Sequence, residues 1–168
     1  MQLKKTNVLF ITQSAMIAAI YVVLVILFQP ISFHAIQFRI AEALTVLPFF
    51  TPAAIPGVTI GCLLGNIIGG ADILDIVFGT LATLIGALGS YALRKNRYLV
   101  SLPPIVSNAV IVPWVLRYAY HMPDAIPYMM LTVGVGEIVS CGVLGQLLIS
   151  TLKARNIFEN RRASKKES

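Results

Sequence analysis

Long apolar stretches, interrupted by short polar segments, run through most of this chain and limit what it can fold into. Stretches of roughly 20 apolar residues cross the hydrocarbon core of a bilayer as helices, because a helix satisfies its own backbone hydrogen bonds. Hydrophobic residues make up 57% of the 168 residues and charged residues 12%, whereas soluble domains contain roughly 45–50% and 25%. A soluble domain of this size cannot bury so much apolar surface. The sequence therefore predicts an all-α integral membrane protein.

The breaks between the apolar stretches predict six transmembrane helices. We expect one domain of residues 1–152, followed by a basic tail of residues 153–168. The first apolar run is too long for the core of a cleaved signal peptide, so we expect it to remain as a membrane helix. Proline marks several helix ends, because it cannot continue the hydrogen-bond ladder. The predicted helices cover residues 7–28, 40–50, 57–68, 73–93, 99–120 and 128–152.

The distribution of lysine and arginine predicts the topology. Eleven of the 13 cations lie before the first helix, after the fourth or after the sixth. An even number of helices separates these clusters, so all of them lie on one side, which the positive-inside rule makes cytoplasmic. Both termini are then cytoplasmic, in a multi-pass protein of the cell membrane. The net charge of +6 reflects this bias, and no nucleic-acid partner is needed to explain it.

Glu137 is the clearest candidate for a functional residue. It lies about nine residues into the sixth predicted helix, roughly 13 Å from its start, among valine, glycine and isoleucine. A charged side chain at the bilayer centre costs roughly 2.5–3.5 kcal/mol, so it usually faces a cavity or a partner. A structural carboxylate bonded to another helix also fits this position. We favour a carboxylate that faces a ligand.

The fifth predicted helix contributes an amide and two aromatic rings. Asn108 can donate and accept hydrogen bonds, either to another helix or to a ligand. Trp114 and Tyr118 are four residues apart and share a face, as members of an interfacial belt or as a surface on which a flat ligand stacks. Asn108 and Trp114 point to different sides of an ideal helix, so one face holds both only if Pro113 bends the helix.

Further polar residues are expected near the outer ends of the second to fourth helices. Gln37, Arg39 and Glu42 lie where the first outer loop enters the second helix, and the spacing of Arg39 and Glu42 allows them to pair. Asp75 opens the fourth helix, where it either complements the helix dipole or faces a ligand, and Asn66 can face the same space. The gathering of these side chains in the outer half predicts an outward pocket, since a pore needs polar lining along its whole length.

Small residues recur every four positions on two predicted helices. Gly57, Gly61 and Gly65 lie on one face of the third, and Ala15 and Ala19 on one face of the first. Small side chains at this spacing let helices approach closely in lipid. For the two alanines, packing within the protein and docking of another protein both remain open.

Motifs for enzymatic chemistry are absent from the sequence. It contains no phosphate-binding loop, no His-Glu-x-x-His zinc motif and no Gly-x-Ser-x-Gly elbow. We therefore expect no enzymatic activity, no cofactor and no metal. Cys62 and Cys141 lie in apolar segments, and we expect both to be packing residues.

Four stretches of the chain resemble the QueT family, which comprises substrate-binding S components of energy-coupling factor (ECF) transporters. They are QFRIAEALTVLP at 37–48, GCLLGNIIGG at 61–70, DIVFGT at 75–80 and GVGE at 134–137. The resemblance implies a six-helix membrane domain with an outward pocket. It also implies a partner module of one transmembrane protein and two ATPases, with Ala15 and Ala19 matching the family's docking motif.

The resemblance implies uptake of a queuosine precursor, a 7-deazaguanine. One carboxylate can accept hydrogen bonds from its N1–H and exocyclic amine, while Asn108 or Gln37 can donate to O6. Trp114 offers a stacking surface, and a positively charged aminomethyl group would need a second acid. The second acid would then be Glu42, Asp72 or Asp75.

Other functions remain possible from the residues alone. An intramembrane acid such as Glu137 also suits a self-sufficient proton-coupled or multidrug carrier. The same fold also suits an S component for another vitamin-like heterocycle. A scaffold subunit without a ligand is the weakest alternative, because it leaves the polar cluster unexplained.

Overall fold

The computed structural model describes residues 2–32 and 39–155, and every regular element within these ranges is helical. We number six helical segments in chain order, whether their turns are α, 3-10 or π. They are α1 (Gln2–Ser32), α2 (Ile40–Phe49), α3 (Ala54–Ile68), α4 (Asp75–Ala92), α5 (Leu99–Tyr118) and α6 (Ile126–Ala154). The all-α prediction is confirmed, and each predicted helix corresponds to one of these segments.

Four of the segments have the length and apolar character of membrane spans. They are Asn7–Phe28 within α1, and the whole of α4, α5 and α6. The other two, α2 and α3, are apolar but shorter. Four of the six predicted helices are thus long enough to cross a membrane. The other two, α2 and α3, are shorter than the length needed for a full span.

Several helix ends and helix types differ from the predictions. The first helix continues past Pro30 to Ser32, since proline removes one hydrogen-bond donor but keeps a helical φ angle. The third helix begins at Ala54, three residues before its predicted start. The second is a 3-10 helix over all 10 residues, although such runs rarely exceed about four residues. Its unusual length shows that tertiary packing, and not local preference, holds it.

Wide π turns occur in α4 and α6, beside two of the acids singled out from the sequence. Asp75–Gly79 opens α4 as a π turn, and Ile138–Leu144 forms another within α6, directly after Glu137. Such turns are rare, and they occur frequently at functional sites. The position of these turns next to Asp75 and Glu137 agrees with the choice of the two acids as candidate site residues.

A seam of close contact joins α1 to α3, as the glycine spacing predicts. Gly57, Gly61 and Gly65 face Ile17, Tyr21 and Val25 on α1. A Cβ added to Gly61 would lie 2.6 Å from the Cβ of Tyr21, far inside van der Waals contact. Only glycine at this position allows the two backbones to come so close.

The 3-10 helix α2 lies at the centre of the bundle. Its residues from 41 to 48 are all buried. Ala41, Leu44 and Leu47 belong to a core cluster with Tyr21 of α1 and Val58 of α3. This burial places the acidic side chain of α2, that of Glu42, inside the protein.

Candidate ligand-binding site

The carboxylate of Glu42 is fully buried and only half satisfied. Its Oε1 accepts hydrogen bonds from the Tyr21 hydroxyl at 2.5 Å and from Oγ1 of Thr83 at 3.3 Å. Its Oε2 has no hydrogen-bond partner among the residues that the structure describes. Two neighbouring helices therefore fix this side chain, and one acceptor oxygen remains available.

Glu137 on α6 faces the same space, and Cys141 lies one turn further along the helix. The Cys141 thiol is 3.2 Å from Oε2 of Glu137 and 3.2 Å from the backbone oxygen of Glu42. One ligand atom from each of Glu42, Glu137 and Cys141 lies within 4.8 Å of the others. Two carboxylates and a thiol at this separation can surround a cation, either as ligands of a metal ion or as hydrogen-bond acceptors of an ammonium group.

Asn108 on α5 completes the cluster. It is buried, and it lies close enough to interact with both carboxylates. Its Nδ2 makes no hydrogen bond within the described ranges, and neither does the buried Oγ of Ser140 on α6. Together with Oε2 of Glu42, three unpaired polar atoms therefore come from α2, α5 and α6. A buried polar atom without a partner costs roughly 1–3 kcal/mol, which a ligand or ordered water can recover.

A second polar group adjoins the first, just before α2. The Arg39 guanidinium is 3.0 Å from Oδ2 of Asp75, which also accepts a hydrogen bond from the Tyr120 hydroxyl at 3.2 Å. Nδ2 of Asn66 donates to the backbone oxygen of Asp75 at 3.3 Å. This group ties together the entry to α2, the end of α3, the start of α4 and the connection after α5.

The electrostatics of this second group favour a permanent positive charge on Arg39. Burial opposes that charge, but the neighbouring Asp75 carboxylate and, more weakly, Glu42 outweigh burial and raise the pKa of Arg39 above its usual value. Arg39 is therefore close enough to influence Glu42, although its ion pair is made with Asp75.

The structure shows how these acids are paired. The ion pair of Arg39 with Glu42 that their spacing allows is not formed among the described residues, because Arg39 lies before the helix in an extended conformation and pairs with Asp75. The expectation that Asn66 shares a space with Asp75 is confirmed. Asp72 and Asp75 both lie at the start of the fourth helix, as expected: Asp75 is in the first turn of α4, and Oδ1 of Asp72 accepts a hydrogen bond from the backbone nitrogen of Leu74 at 2.8 Å.

The aromatic pair on α5 lies away from the carboxylates. The rings of Trp114 and Tyr118 are stacked, with centroids 6.3 Å apart and planes at 8°, which confirms their shared face. Both are exposed and line a groove whose other described lining residues are apolar, among them Leu74, just before α4, and Phe78 of α4. The buried Asn108 occupies another side of the same helix. A role for Trp114 or Tyr118 in ligand binding stays a prediction.

Ala15 and Ala19 lie on the exposed side of α1. The buried side of that helix carries Ser14, Ala18 and Tyr21, which face the interior of the bundle. The two alanines are thus not used for packing within the described part of this chain. Gln37, the remaining predicted site residue, lies outside the described residues.

Sequence reasoning missed four residues of the cluster and one of the neighbouring group. Tyr21, Thr83 and Cys141 bond the two acids, Ser140 has an unpaired hydroxyl, and Tyr120 bonds Asp75. Each lies in or beside an apolar helix without an identifying motif. In the sequence, each of them is only a polar residue within or beside an apolar stretch. That pattern does not show which helix the side chain faces.

The apolar helices, with polar groups buried among them, define a multi-pass membrane protein. Residues 11–154 match the model of the QueT transporter family. The chain belongs to this family, which consists of transporters and not of enzymes.

One curated relative carries the same family name. The queuosine precursor transporter QueT of Lactococcus lactis subsp. cremoris (strain MG1363) is 36% identical over 85 residues. These residues are 49% of this chain and 50% of that protein, so the chain spans about half the length of the curated relative it matches. No solved structure matches the chain.

Proposed function

We propose that this protein is the substrate-binding subunit of an ECF-type importer and captures a queuosine precursor, a 7-deazaguanine, from outside the cell. Family membership and the name of the relative support the substrate class. The observation that carries the proposal is the set of unpaired buried atoms on Glu42, Asn108 and Ser140. They are buried on α2, α5 and α6, and a polar molecule that reaches them can complete their hydrogen bonds.

The chemistry of a 7-deazaguanine suits this set of groups. Its N1–H and exocyclic amine are adjacent donors, which a carboxylate can accept together. Its O6 is an acceptor beside them, and Nδ2 of Asn108, which lies near both carboxylates without a well-formed hydrogen bond to either, can donate to it. We assign the paired donors to Glu137 and O6 to Asn108.

Six membrane helices with both termini in the cytoplasm provide the matching topology. The cation clusters after α4 and after α6 meet at one end of the bundle, because NH2 of Arg97 donates to Oγ of Ser150 at 2.8 Å. The positive-inside rule makes this end cytoplasmic. The group of Arg39, Asp75 and Tyr120 then belongs to the outer side, where ligand enters.

The exposed side of α1 is the proposed contact for the energising module, one transmembrane protein with two ATPases. Lipid offers no hydrophobic drive for helices to associate, so dispersion contacts at close approach must supply it. Ala15 and Ala19 are exposed and small, so they permit that approach. A bulky side chain at either position would hold the partner helix away.

The double substitution of Ala15→Trp with Ala19→Trp tests this assembly. Transport and pull-down of the partner subunits should be lost, while the isolated subunit should still bind ligand. Met16→Trp with Ile20→Trp is a matched control, because these residues are also exposed and four apart but are turned by about 100° around α1 from the two alanines. Loss of ligand binding together with assembly would show that the alanines maintain the fold. Retention of both activities would exclude this surface.

The substrate is tested by native mass spectrometry and by calorimetry with 7-deazaguanines. We expect a heterocycle of this class to co-purify with the protein and to bind it stoichiometrically. The buried pair of acids also suits a proton-coupled carrier. Uptake by the lone protein in vesicles, driven by a proton gradient without partner subunits, would favour that function and contradict the importer.

A further inference from the structure

A basic surface lies where α4 and α6 end and α5 begins. The connection between α4 and α5 contains Arg94, Lys95 and Arg97, and the last turn of α6 contains Lys153. We call these four cations the basic rim. All three helices have the length and apolar character of membrane spans, so their ends lie at the level of the lipid headgroups. The rim is separated by the whole length of α4 from Asp75, so it is distinct from the outer polar group.

Hydrogen bonds hold the connection between α4 and α5 against α6. Nε2 of Gln146 donates to the backbone oxygen of Arg97 at 2.6 Å and is 2.9 Å from Oγ of Ser101. NH2 of Arg97 in turn donates to Oγ of Ser150 at 2.8 Å. Ser150 and Lys153 are three residues apart on α6 and therefore share a side of the helix. This places the charges of Arg97 and Lys153 in one region of the surface.

Aromatic rings support the cations of the rim. Three cations lie over a ring, with distances to its centroid of 3.9 Å for Arg94 on Tyr91, 5.0 Å for Arg97 on Tyr98 and 4.8 Å for Lys153 on Phe49. A guanidinium that stacks through its face keeps the N–H groups at its edge for a phosphate. Nε of Arg97 has no hydrogen-bond partner within the described ranges. The rings therefore hold the charges in place and leave donors for an anion.

Acidic residues are absent from the parts of the sequence that form this surface. Neither aspartate nor glutamate occurs in residues 43–71, 76–123 or 138–155. Residues 156–168 contain four cations and two acids, so they add to the positive charge. The rim thus has an excess of positive charge, which favours a negatively charged partner.

From its charge, its contacts and its position at the ends of membrane spans, we infer that the basic rim binds the headgroup of an anionic phospholipid. Arg94 and Arg97 offer N–H donors to the phosphate oxygens, and Lys153 adds a third charge. Basic groups between membrane helices are suited to such headgroups. A zwitterionic headgroup has the same phosphate, but its own ammonium is repelled by the rim. The inference uses neither the ligand nor the partner module of the proposed function.

The test is native mass spectrometry of the purified full-length protein, titrated with phosphatidylglycerol or with phosphatidylcholine of the same acyl chains. The wild-type protein should bind phosphatidylglycerol at least about tenfold more tightly, because each cation near a membrane surface contributes roughly fivefold. Arg94→Gln and Lys153→Gln, at two exposed positions, should each weaken phosphatidylglycerol by about fivefold and phosphatidylcholine much less. Arg117→Gln is the matched control. It removes the same charge from an exposed arginine at the opposite end of α5 and should change either affinity by less than about twofold.

Four results would overturn the inference. Equal affinities of the wild-type protein for the two lipids would exclude selection of the headgroup, and this comparison requires no variant to fold. Unchanged binding of phosphatidylglycerol by the variant with both Arg94→Gln and Lys153→Gln would place the lipid elsewhere. If inorganic phosphate raised the temperature of thermal unfolding as much as phosphatidylglycerol does, the rim would be a site for free anions. If the double variant kept its lipid affinity but lost partner subunits in a pull-down, the rim would be a protein contact.

Discussion

The seam between α1 and α3 and the cluster between α2, α5 and α6 both contain small residues, but they are packed differently. At the seam, a methyl group on Gly61 would collide with Tyr21. On α6, a Cβ added to Gly134 would lie 3.8 Å from the nearest atom, in ordinary contact. The seam leaves no space, while the cluster leaves polar atoms unpaired. The difference separates a region packed to hold two helices together from a region whose buried polar atoms lack partners among the described residues.

Glu137→Gln should have the largest effect on the cluster side of this comparison. It replaces a carboxylate that can accept two hydrogen bonds with an amide that accepts and donates, so ligand binding should weaken by about 1.5–3 kcal/mol. Stability should remain or increase, because an amide cannot place a buried charge beside Glu42. Calorimetry and thermal unfolding measure the two quantities. Unchanged affinity would show that Glu137 is a structural acid.

Gly61→Ala, in the seam, should lower stability, whereas Glu137→Gln should lower ligand affinity. The added methyl group forces α1 and α3 apart, and overpacking of this kind lowers the free energy of unfolding by about 1–3 kcal/mol. Gly134→Ala is the matched control, which should leave the free energy of unfolding unchanged or raise it by up to about 1 kcal/mol, because alanine favours the helix and has space there. Thermal unfolding of both variants in detergent makes the comparison. Equal losses would contradict the tighter packing of the seam.

The sequence predicted the number and order of the helices because uncharged stretches of this length have few alternatives in a bilayer. It also identified Glu137 and the neighbourhood of Asn66 and Asp75, since isolated polar residues in apolar helices need partners. The 3-10 geometry of α2 and the π turns of α4 and α6 were not predictable in this way. They depend on tertiary packing, which short-range preferences do not contain.

The partners of the acids were harder to predict than the acids themselves. Arg39 and Glu42 are close in sequence, but Arg39 pairs with Asp75, 36 residues away. Tyr21 and Thr83 bond Glu42 from separations of 21 and 41 residues. Such contacts depend on how α1 and α4 rotate against α2, and no local pattern fixes that rotation.

Tyr21 belongs to both regions, so its substitution tests whether they are coupled. Tyr21→Phe keeps the ring against Gly61 but removes the hydrogen bond to Glu42, and stability should fall by about 0.5–1.5 kcal/mol. Tyr128→Phe, on an exposed tyrosine, should change nothing measurable. Combination of Tyr21→Phe with Thr83→Val should be non-additive, because both hydroxyls bond the same oxygen. Simple additivity would mean that the two bonds act independently.

Tyr120→Phe should have the smallest effect on affinity and should act mainly on rates. Partial burial raises the pKa of Tyr120, so its hydroxyl stays protonated at neutral pH and can donate to Asp75. The same hydroxyl accepts a hydrogen bond from the backbone nitrogen of Asp72 at 3.3 Å. Its loss removes a link between the start of α4 and the connection after α5, and leaves the pair of Arg39 with Asp75 in place.

We expect the equilibrium affinity of the Tyr120→Phe variant to change by less than about 0.5 kcal/mol, as for substitutions away from the groups that bind. Association and dissociation should both become faster, because this link lies on the proposed entrance side and not among the unpaired atoms of the cluster. Surface plasmon resonance with the immobilised protein measures both rates. Tyr98→Phe, on a tyrosine that is 71% exposed, is the control. A large loss of affinity with unchanged rates of association would place Tyr120 in the binding site itself and extend the cluster to include the Arg39 group.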